Sequence, residues 1–395
     1  MKTRLDTTND LQKNLISWRR HLHRHPELSF EEKNTSLFIQ EWLRERDIPF
    51  TSGWAGHGIV ASVIIDKDDP KFYAFRADMD ALPIQEENPR EYCSQTPGIM
   101  HACGHDVHTT CLLGAIELIL NNKDQLKSNL KFIFQPGEEK LPGGASIMLK
   151  EGAIDVNNCK GIFGLHVQPS MEVGTVGFHS GIYMASSDEL YISVKGKGGH
   201  GAMPQDTIDP IYIASSIIIG LQEIISRKSH PASPSILTIG KINSVGGATN
   251  IIPSEVKLEG TFRAMDEAWR KRAHLLIRKT CEGIAESFGG SAEVDIVHGY
   301  PVLINDEHLV QSAKQIASQI LGTENVINLD IRMTSEDFAW YTQQIPGCFF
   351  RLGTGNSSKG ITSGVHTATF DVDEDCLMIG ANTLSLIALS LSSEC

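Results

Sequence analysis

The chain has 395 residues, with 35 Lys and Arg against 48 Asp and Glu, so its formal net charge is −13 before any of its 15 His protonates. A chain this acidic has no general attraction for phosphate backbones or anionic lipid surfaces, and no run of basic residues supplies a local one. Nucleic acid and membrane are therefore not expected partners, while 41 % hydrophobic and 7 % aromatic residues describe a globular protein of roughly two or three domains.

From the N-terminus, Leu11, Leu15, Trp18 and Leu22 follow helical spacing behind the capping candidates Asn9 and Asp10, and Pro26 ends that helix. This opening has no uninterrupted apolar segment or small-residue cleavage site and does not read as a signal peptide. No stretch approaches the roughly 18 apolar residues of a membrane span. Cysteines 93, 103, 111, 159, 281, 348, 376 and 395 form no CxxC pairs, which fits a reducing compartment. The expectation is a soluble, cytoplasmic protein. Ser29 with Glu32 reads as a capping box for a second helix reaching about residue 46.

Strand-like segments follow at 58–65 and 72–75, the second running directly into Arg76-Ala77-Asp78-Met79-Asp80. Val107, Cys111, Leu112, Ala115, Leu118 and Ile119 mark a helix that begins at His-Ala-Cys-Gly-His-Asp, residues 101–106. Further strands at 130–134 and 161–165 end in Gln-Pro-Gly-Glu-Glu and in His166. Strands alternating with helices imply an α/β fold with a mostly parallel sheet covered by helices, and ligands bind beyond the carboxyl ends of such strands. Between about 189 and 297 the order becomes strand (190–194), helix (208–226), two strands (236–242 and 255–263), helix (266–288) and strand (292–297). That is the β-α-β-β-α-β order of a ferredoxin-like α+β domain. A strand at 348–352 and a C-terminal helix from Asp373 then resume the first pattern. The expected organisation is a main domain of residues 1–185 and 298–395, interrupted by an inserted domain of residues 186–297.

The polar clusters carry the chemistry. Cys103 and His105 stand just before a helix, where backbone N–H groups and the helix dipole favour thiolate, the metal-binding form; an ordinary buried cysteine and a helix cap are the alternative. Glu138 and Glu139 follow a strand in a Gly/Pro-rich loop, where one carboxylate can ligate a cation while the other moves protons; a surface charge pair ahead of Lys140 is the alternative. His166 at a strand end and His366 in a loop say little individually. Together, one thiolate, one carboxylate and three imidazoles fall at one predicted sheet edge, more than the three ligands of a single catalytic zinc, which suggests two ions sharing bridging groups. Two patterns read as decoys. Residues 196–201 match GxGxxG, but Pro204 follows closely and no acid is placed to hold a ribose. His21, His23 and His25 sit near a helix C-terminus, where imidazoles complement the dipole.

Taken in order, RRHLHRHPELSFEE, FRADMDALPI, MHACGHDVHTT, FQPGEE, GLHV, GKGGHGAMP, NIIP, GTFR and SEDF cover nearly the whole chain. In these motifs the chain resembles the aminoacylase, hippurate hydrolase and auxin-conjugate hydrolase branch of the co-catalytic two-metal metallopeptidases. The resemblance implies an amidohydrolase that cleaves N-acyl amino acids, with Cys103, His105, Glu139, His166 and His366 holding two divalent ions and Glu138 as general base. It places Asp78, Asp80 and Asp106 around the metal site, accepting hydrogen bonds from ligand imidazoles, and His200, Asn250 and Arg263 against the substrate. It further implies that the inserted domain mediates homodimerisation and that His200 can reach a neighbouring active site. Zinc or manganese is the expected metal, with nickel or cobalt as alternatives. A dipeptidase or carboxypeptidase would share every ligand, and a metal-binding protein without turnover is the rival of a different class. Thr367 and Ala368 stand where Ser-Pro is common in this branch, Gly201 replaces the usual alanine, and Gln205 replaces a common histidine. These departures bear on acyl-group preference.

Overall fold

In the computed structural model, which describes residues 10–391, the chain forms two compact units. The first comprises Met1–Gly181, Ile304–Asp330 and Asp337–Cys395; the second comprises Ile182–Leu303 and Ile331–Glu336. The short 331–336 stretch, which the sequence reading leaves in the main domain, goes with the second unit because its backbone is used there. The Arg332 amide donates to Tyr183 O at 2.8 Å, and Arg263 donates to Met333 O at 3.2 Å.

The first unit is built on an eight-stranded sheet. Helices α1 (Leu11–Arg24) and α2 (Lys33–Arg44) lead into strands β1 (Phe50–Trp54), β2 (Gly58–Val63) and β3 (Phe72–Asp78). Helix α3 (His105–Asn121), β4 (Asn129–Gln135), α4 (Gly144–Glu151), β5 (Cys159–Glu172) and β6 (Val176–Phe178) follow. The spatial order is β1, β2, β4, β3, β5, then Gly347–Gly355, β6 and Val326–Asn328. Its centre, β4, β3, β5 and Gly347–Gly355, is parallel, and β2 adds antiparallel to β4. Every residue of β3 is buried, as expected of a central parallel strand covered on both faces. Helix α3 is apolar on nearly all sides and lies between α1 and the C-terminal helix Cys376–Leu391. Gly114 permits that approach, since a Cβ there would come within 2.5 Å of Leu15 and 2.9 Å of Ala381.

The start of α1 has Asp10 at its N-cap without a side-chain cap bond, while Asn9 lies outside the described residues. The capping box expected at α2 is not formed either, because Glu32 and Ser29 turn inward to other partners. Helix Glu307–Leu321 and strand β1 were not anticipated from the sequence.

The second unit has strands Asp188–Lys195, Ser235–Val245, Glu255–Ala264 and Ser291–His298, with α5 (Pro210–Glu223) and α6 (Glu267–Ser287) between them. The sheet is antiparallel, with the first strand between the third and fourth and the second strand at an edge. This is the ferredoxin-like arrangement that the element order predicts. The GxGxxG match at 196–201 leads into no α-helix: only a single 3-10 turn at Pro204–Asp206 follows before α5 begins at Pro210, and a Cβ on Gly196 would lie 2.1 Å from Ile208 O. Those glycines serve close backbone packing.

Asp188, fully buried, ties this unit together: it accepts from Arg270 Nη2 at 2.6 Å and Nε at 2.9 Å, and from His274 Nε2 at 2.7 Å. Burial pushes its carboxyl up, but the Arg270 and His274 hydrogen bonds prevail and hold it at about 2. Its contribution to stability is complete above the unfolded-state value near pH 4 and is lost as pH falls toward 2. Asp188→Ala leaves the buried Arg270 guanidinium with only Glu267 as a carboxylate partner and is expected to cost about 3 kcal/mol. Denaturant unfolding of wild type and variant between pH 5 and 2 checks both points, since the difference between them should shrink as pH falls.

Candidate metal centre

Five chain segments bring the predicted residues to one end of the large sheet. β3 ends at Asp78, with Asp80 two residues beyond; Glu138 and Glu139 follow β4; His166 lies in β5; and Cys103 and His105 flank the start of α3. Gly104 makes that last turn with φ 79°, and a Cβ there would lie 2.6 Å from Val167 Cγ2, so backbone conformation and packing both demand glycine. His366 arrives on the loop after strand Gly347–Gly355 with φ 62°, and its amide donates to Ala102 O at 2.7 Å.

The donor atoms converge. Cys103 Sγ lies 3.4 Å from His166 Nε2 and 3.3 Å from His366 Nε2. His366 Nε2 is 3.2 Å from Glu139 Oε1, which is itself 3.9 Å from His105 Nε2. Donor atoms of His105, Glu138 and Glu139 also fall within 4.8 Å of one another. Among the described residues, His105 Nε2 and Glu139 Oε1 are buried without a hydrogen-bond partner. Buried polar atoms in proteins are normally satisfied, and a thiol, a carboxylate and three imidazoles around two such orphans suit a divalent cation of borderline softness. The residues present fit a metal.

The electrostatics point the same way. Burial alone would lower the His105 imidazole, but Asp78, Asp80 and Glu139 raise it to about 10. Burial, helped by Arg351, pushes His166 well below its usual value and leaves it neutral, as a metal ligand must be. Its Nδ1 donates to Val167 O at 2.8 Å, which turns the Nε2 lone pair toward Cys103. Cys103 corrects the sequence reading. Its thiol is pushed well above the ordinary value by burial and by Glu139, Glu138 and Asp78, rather than lowered by the helix behind it. Burial and three carboxylates thus favour the neutral thiol in the metal-free protein, and a bound cation would favour the thiolate.

The surrounding acids divide in a way the sequence did not disclose. Asp80 has the expected role, accepting from His105 Nδ1 at 3.1 Å and from Ser29 Oγ at 2.6 Å. Asp78 accepts from Arg76 at 2.5 Å and from His108 at 2.6 Å. Asp106 departs from the expectation: it accepts from Arg19 Nε at 2.9 Å and His23 Nδ1 at 2.8 Å and bonds no candidate ligand. Adjacent helical residues point about 100° apart, so Asp106 faces α1 while His105 faces the cluster. His23 is consequently a buried partner of Asp106 and Glu86, not an exposed complement to a helix dipole. His108, three residues after His105, went unremarked in sequence. Both its nitrogens are engaged, Nδ1 by Asp78 and Nε2 by the Val167 amide at 2.9 Å, so it braces α3 against β5 and has no lone pair to offer.

The remaining predicted residues belong to the second unit. His200 and Ile251 are paired in a two-residue ladder, and the Gly201 amide donates to Asn250 O at 2.8 Å, which keeps His200 and Asn250 together. Arg263 is half-buried and donates to the neutral acceptors Met333 O at 3.2 Å and Ser335 Oγ at 3.3 Å.

Fold and cluster together define a class: an α/β protein with an inserted ferredoxin-like unit and a multi-donor candidate metal centre at the carboxyl edge of its main sheet. Residues 74–390 match Peptidase family M20/M25/M40. The chain is 37 % identical over 382 residues to thermostable carboxypeptidase 1 of Saccharolobus solfataricus, covering 96 % of each. It is 39 % identical to the N-acetyl-L-cysteine deacetylase of Bacillus subtilis, over 93 % of this chain and 86 % of that one. Among solved structures, the Bacillus subtilis YXEP protein, described as a dinuclear metal binding peptidase from the M20 family, superposes with TM-score 0.82 at 33 % identity, over 97 % of this chain and 99 % of that one. The chain belongs to peptidase family M20/M25/M40 and is a hydrolase, as its motifs led one to expect.

In metal-free protein the raised His105 contributes stability that is complete below about pH 6.5 and is lost as pH rises toward about 10. His105→Gln should therefore flatten the decline in stability over that window. Urea titrations of the two metal-free proteins at several pH values measure it.

Proposed function

We propose that the protein is a metal-dependent amidohydrolase that cleaves N-acyl amino acids to a carboxylic acid and a free amino acid. The observation that carries this reading is the placement of Glu138 beside the donor cluster: its carboxylate lies within 4.8 Å of donor atoms of both His105 and Glu139. In this reading Cys103, His105, Glu139, His166 and His366 hold two divalent cations, with zinc or manganese preferred and nickel or cobalt alternatives. Such cations, when bound, supply Lewis acidity that lowers the pKa of water toward neutrality.

The rest is done by the chain's own groups. Glu138 accepts a proton from the attacking water and later returns it to the departing amine, the dual use expected of a general acid–base carboxylate. The Asp337 amide, 3.4 Å from Glu138 Oε1, steadies that carboxylate. Asp80 fixes the ring of His105 through Nδ1, and Val167 O fixes His166 in the same way. His200 or Asn250 donates to the developing oxyanion, and Arg263 grips the free α-carboxylate, which selects amino-acid conjugates over plain amides. A homodimer formed through the inserted unit is part of this reading. It is supported by the edge strand Ser235–Val245, which exposes Ile242 and Val245. A thiol that must stay reduced to ligate is consistent with a cytoplasmic location.

The carboxypeptidase similarity supports one alternative, a dipeptidase or carboxypeptidase using the same centre. Rates on acetyl, benzoyl, indole-acetyl and aminoacyl conjugates with several divalent metals decide between them. A binding protein without turnover is disfavoured because the candidate base accompanies the ligands. Hydrolysis abolished by chelation and restored by metal would dispose of it.

Glu138→Gln should retain its metal while turnover falls by about 10²–10⁴-fold; near-normal turnover would remove Glu138 from the mechanism. Cys103→Ser should lower the metal-to-protein ratio found by elemental analysis after dialysis. An unchanged ratio would argue against Cys103 as a ligand.

A further inference from the structure

The turn between α1 and α2 reaches the loop that carries Glu138. Glu32 has no exposed surface, and its Oε1 accepts a hydrogen bond from the Gly137 amide at 2.7 Å, across 105 positions of sequence. Gly137 immediately precedes Glu138 and has φ 63°, and the ring of Phe30 lies so close that a Cβ at 137 would sit 2.4 Å from Phe30 Cε1. Phe30 itself has φ 68°, a conformation costly for an aromatic residue and retained only where the surroundings enforce it. Ser29, in the same turn, donates to Asp80 Oδ2 at 2.6 Å, and that oxygen accepts from the Glu139 amide at 2.9 Å. The backbone is thus pinned on both sides of Glu138, by Glu32 at the preceding amide and by Asp80 at the following one. The Gly144 amide closes the loop on Gly137 O at 2.9 Å.

We propose that Glu32 is a positioning residue for Glu138, acting as a buried hydrogen-bond acceptor that fixes the Gly137 peptide and through it the direction in which the Glu138 carboxylate leaves the backbone. The proposal rests on the reading of Glu138 as general base. Burial and the nearby Asp80 raise the Glu32 carboxyl to about 8, so at neutral pH it is mostly the uncharged acid. A glutamine then reproduces both its shape and its acceptor. A methionine matches its length and accepts nothing.

The test compares wild type, Glu32→Gln and Glu32→Met at matched metal content. In Glu32→Met the amides of a peptide spanning residues 132–141 should exchange with deuterium at least about 10-fold faster. Its kcat should fall by about 10-fold or more with KM within about 3-fold, as when a reacting group is mispositioned while substrate still binds. Glu32→Gln should bring exchange and kcat back to within about 3-fold of wild type. If Glu32→Met is recovered unfolded, Glu32→Asp, which withdraws the acceptor by one methylene, is measured in its place and should behave the same way. Unchanged exchange and kcat in a folded Glu32→Met would overturn the proposal. So would a Glu32→Gln as impaired as Glu32→Met, because that result would assign the role to charge. If wild type hydrolysed no N-acyl amino acid, the functional reading would fail, whereas the exchange measurements would still decide whether Glu32 holds the loop.

Discussion

Arg76 is the fixed point of the main unit. Its guanidinium is fully buried and donates simultaneously to Asp78 at 2.5 Å, Gln135 at 2.9 Å and Asp337 at 2.6 Å. A buried cation of this kind is tolerable only when its donors are matched, and its removal would leave two carboxylates uncompensated inside the protein. Because Asp78 ends β3 and Gln135 ends β4, the residue aligns two neighbouring strand ends at the site. Asp78 then orients His108, and Asp337 accepts from the Ala145 amide while donating its own amide to Glu138. Ligand placement on one side and base placement on the other therefore share one electrostatic anchor.

Around that anchor the site gathers carboxylates: Asp78, Asp80, Glu138 and Glu139 are brought together with His105 among them. The result in the free protein is an imidazole driven to hold its proton and a thiol driven to keep its own. Both protons occupy places where a divalent ion would be better suited, and binding must displace them. The formal charge of −13 says nothing of this, since it counts the acids without their arrangement. A divalent cation bound among these acids would offset their charge locally, which the whole-chain total does not show.

Much of the architecture was legible because its signals are local. Helical spacing disclosed α1 and α3, and the β-α-β-β-α-β order disclosed the ferredoxin-like unit. The convergence of Cys103, His105, Glu139, His166 and His366 followed from a general property of parallel sheets. What stayed hidden depends on contacts far apart in sequence. Ser29 and Glu32 have the residue types and spacing of a helix cap, yet Ser29 bonds Asp80 and Glu32 bonds Gly137, because burying them against the site is worth more than closing a helix end. Asp106 shares a motif with His105 but not a direction. Arg76 and Asp337 meet across 261 positions, and no periodicity reports such a pair. The misreading of the Cys103 thiol has a similar origin: the helix terminus is visible in the sequence, whereas the burial and the carboxylates that push the thiol up come from folding, with Asp78 and the Glu138-Glu139 pair brought in from two other segments.

The positions of the site residues along the chain also order the events of synthesis. Cys103, His105, Glu138, Glu139 and His166 emerge from the ribosome before the second unit begins at Ile182, but His366 and the helix Cys376–Leu391 that packs on α3 follow it. While the second unit is being made, the nascent chain holds four of its five candidate ligands and lacks a helix that covers their scaffold. A thiol and two histidines must wait through that interval without oxidising or capturing a metal in the wrong geometry. A chain truncated before His366 would therefore lack one of its five candidate ligands however well its earlier segments had folded.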